Sequence, residues 1–195
     1  MNLPNKLSLM RVIMVPLFVA VIVLPETILP TTWSCILGAA IFILTAFTDF
    51  LDGMIARKFN MITDFGKFID PLADKFMVFG AMLSILYKFE SLRPVFIWAA
   101  LIVIFRELAI TSMRLIVSSN AGVVVAAAWL GKVKTVTQII CIVTILLEPV
   151  IIPESSPLYG TNLLSYITIA AMTVMTLWSG IDYMKAYWKY LDPTK

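Results

Sequence analysis

Six apolar stretches, at 12–24, 33–57, 67–87, 95–117, 133–147 and 163–183, follow one another along the chain with short polar connections between them. A helix needs about 20 predominantly apolar residues to cross a hydrocarbon core roughly 30 Å thick, and in lipid the backbone must satisfy its own hydrogen bonds. The runs therefore predict an all-α integral membrane protein with six transmembrane helices, the fifth able to begin ahead of Val133. Charged residues are only 14% of the chain, against about 25% in soluble proteins. No Gly/Ser linker, low-complexity tract or internal repeat interrupts it, so 1–195 reads as a single transmembrane domain.

The basic residues set an orientation. All fifteen lysines and arginines except Lys88 and Arg93 fall near the start, around the second and fourth connections, or near the end. By the positive-inside rule both termini are expected in the cytoplasm, as in a multi-pass protein of the cell (plasma) membrane. Val23-Leu24-Pro25-Glu26 offers no small-residue cleavage site, so the first run is read as retained. Ahead of it, Leu3, Leu7 and Met10 recur at helical spacing with Lys6 and Arg11 opposite, which predicts a short N-terminal interfacial helix. The loops at 25–32, 88–94 and 148–162 are rich in proline or polar turn residues and look passive. Cys35 and Cys141 sit alone in apolar runs, and the tryptophans read as interfacial anchors or packing.

Against this background, five of the twelve acidic residues fall between Asp49 and Asp74. Asp49 and Asp52 share a face of the second run with Gly53, Ala56 and Arg57 following, and Asp70 and Asp74 stack on the third. Asn60, Thr63 and Gly66 suit a turn that would bring the two acidic faces together as a hairpin, with Asp64 solvated in the connection. Asp49 lies eight residues from Arg57, about 12 Å below the cytoplasmic end, so a cavity open to the cytosol and the inner leaflet is expected. A carboxylate at such depth is costly without a partner, and four together imply a cationic ligand.

Histidine is absent, which removes Ser/His and Cys/His schemes and imidazole metal sites. Four carboxylates with no nitrogen or sulfur ligand favour hard cations, Mg²⁺ or Mn²⁺, and two divalent ions would balance them. The spacing is not that of an EF-hand. Gly53 and Ala56 keep the helix face open to a substrate, and Arg57 offers a planar fork to a phosphate oxygen. Two other readings stay open on the residues alone: internal pairing of the acids with Arg57, Lys67 and Lys75, and a divalent-cation path through the membrane.

The run Asp49-x2-Asp52-Gly53-x2-Ala56-Arg57-x8-Gly66-x3-Asp70-x3-Asp74 resembles the complete signature of the CDP-alcohol phosphotransferase family at every fixed position. The resemblance implies transfer of a phosphatidyl group from CDP-diacylglycerol to an alcohol with release of CMP, in a homodimer embedded in membrane lipid. It implies that Asp49, Asp52, Asp70 and Asp74 bind two divalent cations, Asp74 serving also as the catalytic base. Gly53, Ala56, Arg57 and Gly66, with Thr63, would contact the CDP-lipid. So would Asn5, Ser8 and Arg11, from an opening segment similar to the family branch that uses glycerol 3-phosphate, in which threonine is commoner than Ser8.

The residues support that branch independently. Arg106, Arg114, Lys132 and Lys134 are expected to gather at the cytoplasmic ends of the fourth and fifth spans, where a dianionic acceptor could be held. Lys134, Thr135 and Gln138 share a helix face and would line the pocket. Glycerol 3-phosphate fits such a pocket better than serine or phosphatidylglycerol, while inositol phosphate stays open. Positive-inside topology with anionic lipid contact is the plainer account of these cations. No nucleic-acid partner is expected.

Overall fold

In the computed structural model, which describes residues 3–58, 64–121 and 129–188, six helices make up most of the described residues. They are α1 (Leu3–Val23), α2 (Thr31–Lys58), α3 (Asp64–Lys88), α4 (Arg93–Ala121), α5 (Trp129–Ile151) and α6 (Leu163–Trp188). Packing partners, not chain order, define the bundle: α1 touches α2 and α3, α2 touches α5, α5 touches α6, α6 touches α4 and α4 touches α3. The helices thus close a ring in the order α1, α2, α5, α6, α4, α3.

The connection expected to fold α2 and α3 into a hairpin lies outside the described residues. Among the described residues the two acidic helices make little direct contact, because α1 packs against both of them. Space between α2 and α3 is thereby kept for polar side chains instead of being closed by helix packing.

The ring has an apolar end and a polar end. Val15, Phe18 and Ile22 of α1, Phe42 of α2, Met77 to Ile85 of α3, Phe96 to Val103 of α4, Cys141 to Leu146 of α5, and Ile169 and Met172 of α6 form one buried cluster. On every helix these residues lie on the same side of the polar ones: beyond Arg11 on α1, before Asp49 on α2, beyond Asp74 on α3, before Arg106 on α4, beyond Gln138 on α5 and before Ser179 on α6. The cluster therefore plugs the end where α1 finishes and α6 begins, and leaves the other end for polar groups. A smaller cluster of Ile110, Val117, Tyr183 and Tyr187 joins α4 to α6 at that second end.

Among the described residues, five helices are long and apolar enough to cross a membrane, within Asn5–Val23, Thr31–Asp49, Arg93–Val117, Trp129–Ile151 and Leu163–Trp188. Of the six spans expected, α3 falls short by that measure, because Asp70, Asp74, Lys75 and Lys88 leave it too charged to qualify by composition. The deficit comes from the acidic motif itself. The fifth helix does start before Val133, at Trp129.

The short interfacial helix is also corrected. α1 runs unbroken through that region and past Pro16. Its polar residues Asn5, Ser8 and Arg11 are buried, whereas Leu9, Met10, Ile13 and Leu17 are exposed. An interfacial helix would place its charges in water; α1 leaves Lys6 exposed but turns Arg11 toward the bundle interior.

Cys35 and Cys141 are buried free thiols, and Trp33, Trp98, Trp129, Trp178 and Trp188 are all exposed on the bundle surface. The loops at the apolar end fasten the ring. Arg93 donates to the carbonyls of Leu86 at 2.9 Å and Tyr87 at 3.3 Å, closing the C-terminus of α3. Glu148 of α5 accepts from the amides of Leu164 at 3.0 Å and Ser165 at 2.7 Å and from the Ser165 hydroxyl, so a buried carboxylate caps α6.

Candidate active site

Helix α1 supplies partners to two motif acids. Arg11, with a fully buried side chain, places Nη1 2.5 Å from Oδ1 of Asp49. One turn earlier, Ser8 donates its hydroxyl to Oδ1 of Asp70 at 2.5 Å. The sequence suggested Arg57, Lys67 and Lys75 as internal counterions, yet the described partner of Asp49 is Arg11, and Lys75 donates to the carbonyl of Pro71 on its own helix at 3.3 Å. Asn5 is buried on the same face of α1.

Inside the ring, Asp49 and Asp74 line one cleft together with Phe42, Ala46, Thr135 and Gln138. Asp74, Thr135 and Gln138 also line the adjoining space, whose remaining walls include Lys75, Glu107 and Lys134. The two spaces adjoin, with these residues lining both. Asp74 thus stands between a carboxylate on α2 and a lysine on α5, open enough in the cleft to be exposed.

The basic residues divide into two groups. Lys134 is buried at the cleft wall and pairs with Glu107. Arg106 places Nη1 3.2 Å from Oε1 of the same carboxylate, but its other end turns toward α6, donating Nη2 to the Ser179 hydroxyl at 2.5 Å and lying 5.3 Å from the Tyr183 ring centre. A Cβ on Gly180 would stand 3.2 Å from Arg106 Cγ, so the missing side chain there is what admits the arginine against α6. Arg114 and Lys132 are exposed and are not among the residues lining either part of the cleft. Of the expected acceptor residues, Lys134, Thr135 and Gln138 come together; Arg106 reaches them through Glu107.

Glu107 and Ser179 were not picked out as site residues from sequence. Glu107 had a usable signal, since an acid in the middle of an apolar run needs a partner as the aspartates do. Ser179 had none.

Gly66 is buried in the first turn of α3. Asp52, Gly53, Ala56 and Arg57 fall on α2 with their side chains outside the described residues, and Thr63 lies outside them altogether.

The donor chemistry fits a hard cation. Asp49 and Asp74 open onto one cleft with no thiol or imidazole near them, and a guanidinium already stands against Asp49, marking a position that demands positive charge. Among the described residues no three acidic or cysteine groups converge as a metal cage, and the side chain of Asp52 is not part of that set.

A family model for CDP-alcohol phosphatidyltransferase matches residues 1–180. The chain belongs to the CDP-alcohol phosphatidyltransferase family. Among its curated relatives, a Bacillus subtilis (strain 168) protein is 42% identical over 156 residues, covering 75% of this chain and 77% of that protein. An Escherichia coli (strain K12) relative is 36% identical over 189 residues, covering 95% and 94%. A Shigella flexneri serotype 5b (strain 8401) relative is 36% identical over 192 residues with the same coverage. All three bear the name CDP-diacylglycerol–glycerol-3-phosphate 3-phosphatidyltransferase. Membership makes the chain a phosphatidyltransferase, and the cation-path reading of its aspartates falls away.

Proposed function

We propose that this phosphatidyltransferase moves the phosphatidyl group of CDP-diacylglycerol onto glycerol 3-phosphate, giving phosphatidylglycerophosphate and CMP. The observation that carries the acceptor assignment is the cleft in which Asp74 and the Lys134 ammonium are joined by Thr135 and Gln138. An acceptor bearing both an alcohol and a phosphate matches those two ends, and the names of the relatives point to the same molecule.

Asp49, Asp52, Asp70 and Asp74 would hold two divalent cations, Mg²⁺ or Mn²⁺. When bound, such ions supply Lewis-acid polarisation of the pyrophosphate and neutralise charge on the departing CMP. The protein's own groups do the rest. Lys134 holds the acceptor phosphate, and Arg57, with the open positions Gly53, Ala56 and Gly66, steadies the CDP end, Thr63, Asn5, Ser8 and Arg11 bordering it. Asp74 takes the proton of the sn-1 hydroxyl, and the oxygen so freed bonds to the lipid-side phosphorus while the bond from that phosphorus to the CMP oxygen breaks. A carboxylate is a weak base for an alcohol, so orientation in the cleft carries much of the rate.

In this reading α3 also crosses the bilayer. It has 25 residues, about 37 Å of helix, and it packs between α1 and α4 in the ring, where neighbours screen its charges from lipid. Both termini then face the cytoplasm with the polar end of the ring, in a homodimer in the plasma membrane.

The test is purified protein in detergent with CDP-diacylglycerol and Mg²⁺, offered glycerol 3-phosphate, inositol phosphate and serine in parallel, with the lipid products weighed. Phosphatidylglycerophosphate is expected. A product with serine alone overturns the acceptor assignment.

A further inference from the structure

Gln138 is 2% exposed, and its Nε2 has no hydrogen-bond partner, although it sits where polar groups are plentiful. A buried amide donor left unpaired is costly, and such groups in native proteins have a reason. The side chain lines both parts of the cleft, the one with Asp49 and Asp74 and the one with Lys134 and Glu107. Its neighbour Thr135 is already engaged, donating to the carbonyl of Gly131 at 3.2 Å. Lys134 and Gln138 are four residues apart on α5, about 6 Å along the axis, so the carbon chain of an acceptor whose phosphate meets Lys134 comes within reach of the Gln138 side chain.

We propose that Gln138 is a specificity-determining residue that donates its amide N–H to the middle, sn-2 hydroxyl of the acceptor. The inference rests on the reading of glycerol 3-phosphate as acceptor and deepens it. With the phosphate on Lys134 and the reacting sn-1 hydroxyl at Asp74, the sn-2 hydroxyl falls between them, at the level of Gln138. It supplies the acceptor oxygen that the amide lacks. An acceptor without that oxygen leaves Nε2 unpaired in the loaded enzyme, which is how a buried polar group rejects a deoxy analogue that a purely apolar wall would admit.

The test compares glycerol 3-phosphate with propane-1,3-diol phosphate, which keeps the phosphate and the reacting alcohol and lacks the middle hydroxyl. Wild-type enzyme is expected to favour glycerol 3-phosphate by roughly 10–100-fold in kcat/KM. Gln138→Met, which keeps the length and removes the amide, is expected to reduce that preference to about threefold or less, losing turnover of glycerol 3-phosphate while keeping that of the analogue. A wild-type enzyme that does not distinguish the two acceptors overturns the proposal without any variant, so a poorly folded Gln138→Met protein does not shield it. A Gln138→Met enzyme that retains the wild-type preference overturns it as well. Both results leave the acceptor assignment standing. If the wild type uses serine and ignores both phosphates, the acceptor assignment itself fails and takes this inference with it.

Discussion

Asp74 is the one described motif acid exposed in the cleft for which no ion pair or hydrogen bond is seen, whereas Asp49 is paired with Arg11 and Asp70 with Ser8. A carboxylate that supports the fold is expected to be tied down; one that meets a substrate proton is expected to be open. Asp74→Asn should therefore lower CMP release by about 100-fold or more, the usual share of a positioned base, with the melting temperature in detergent nearly unchanged. Near-normal turnover would remove Asp74 from the chemistry. Glu107 presents the opposite case. Its carboxylate stands between the Lys134 ammonium and the Arg106 guanidinium, and all three side chains are nearly buried. Replacing it by glutamine leaves two buried cations facing each other without an anion, which should cost about 3 kcal/mol of stability and raise the KM for glycerol 3-phosphate more than that for CDP-diacylglycerol. A thermal melt and the two KM values check both halves; equal rises would mean that Glu107 supports the bundle and not the acceptor end.

At the level of the helices, the cap on α6 is set from another element. Glu148 reaches from α5 to two backbone amides and one hydroxyl at the start of α6, and it is buried while doing so. Glu148→Ala leaves those donors without an acceptor in a place short of water, so a loss of about 2–3 kcal/mol is expected, read as a lower melting temperature. Since Glu148 lies at the apolar end, kcat of the surviving folded protein should stay near wild type. Much of the helix pattern was legible beforehand: hydrophobic length gives the helices, and the aspartate spacing places Asp49 and Asp74 on faces that do meet in one cleft. Two features were hidden for physical reasons. The polar stripe of α1 has the same periodicity whether it faces headgroups or a polar interior, so Asn5, Ser8 and Arg11 could not reveal which. Adjacency in sequence suggested α2 against α3, while the actual neighbour of both is α1, because ring order follows side-chain packing that hydropathy does not encode. Glu148 looked like part of a passive loop, since a capping carboxylate is recognised only once the helix start it meets is in place.

The whole molecule separates its duties: an apolar cluster closes one end of the ring, and the other end gathers the motif aspartates with Glu107, Arg11, Lys134 and Arg106. Bringing Asp49 and Asp74 onto one cleft sets like charges against each other, so a bound divalent ion should act as a structural ligand as well as a catalytic one. A ligand that binds only the folded state stabilises it by about 2.7 kcal/mol at a hundred times its dissociation constant. For a chain of this size that corresponds to about 5–10 °C in melting temperature. Protein stripped with a chelator should melt that much lower and recover on addition of Mg²⁺ or Mn²⁺, whether or not substrate is present. The double variant Asp49→Asn with Asp74→Asn provides the control, because it removes two of the charges that repel one another in the empty cleft. Asp49→Asn also leaves the buried Arg11 guanidinium without its carboxylate, so the variant is compared with its own stripped form, against which added metal should produce little rise. A full metal-dependent rise in the double variant would mean that the ion stabilises the protein from somewhere other than this cleft, and the assignment of the aspartates as its ligands would have to be abandoned.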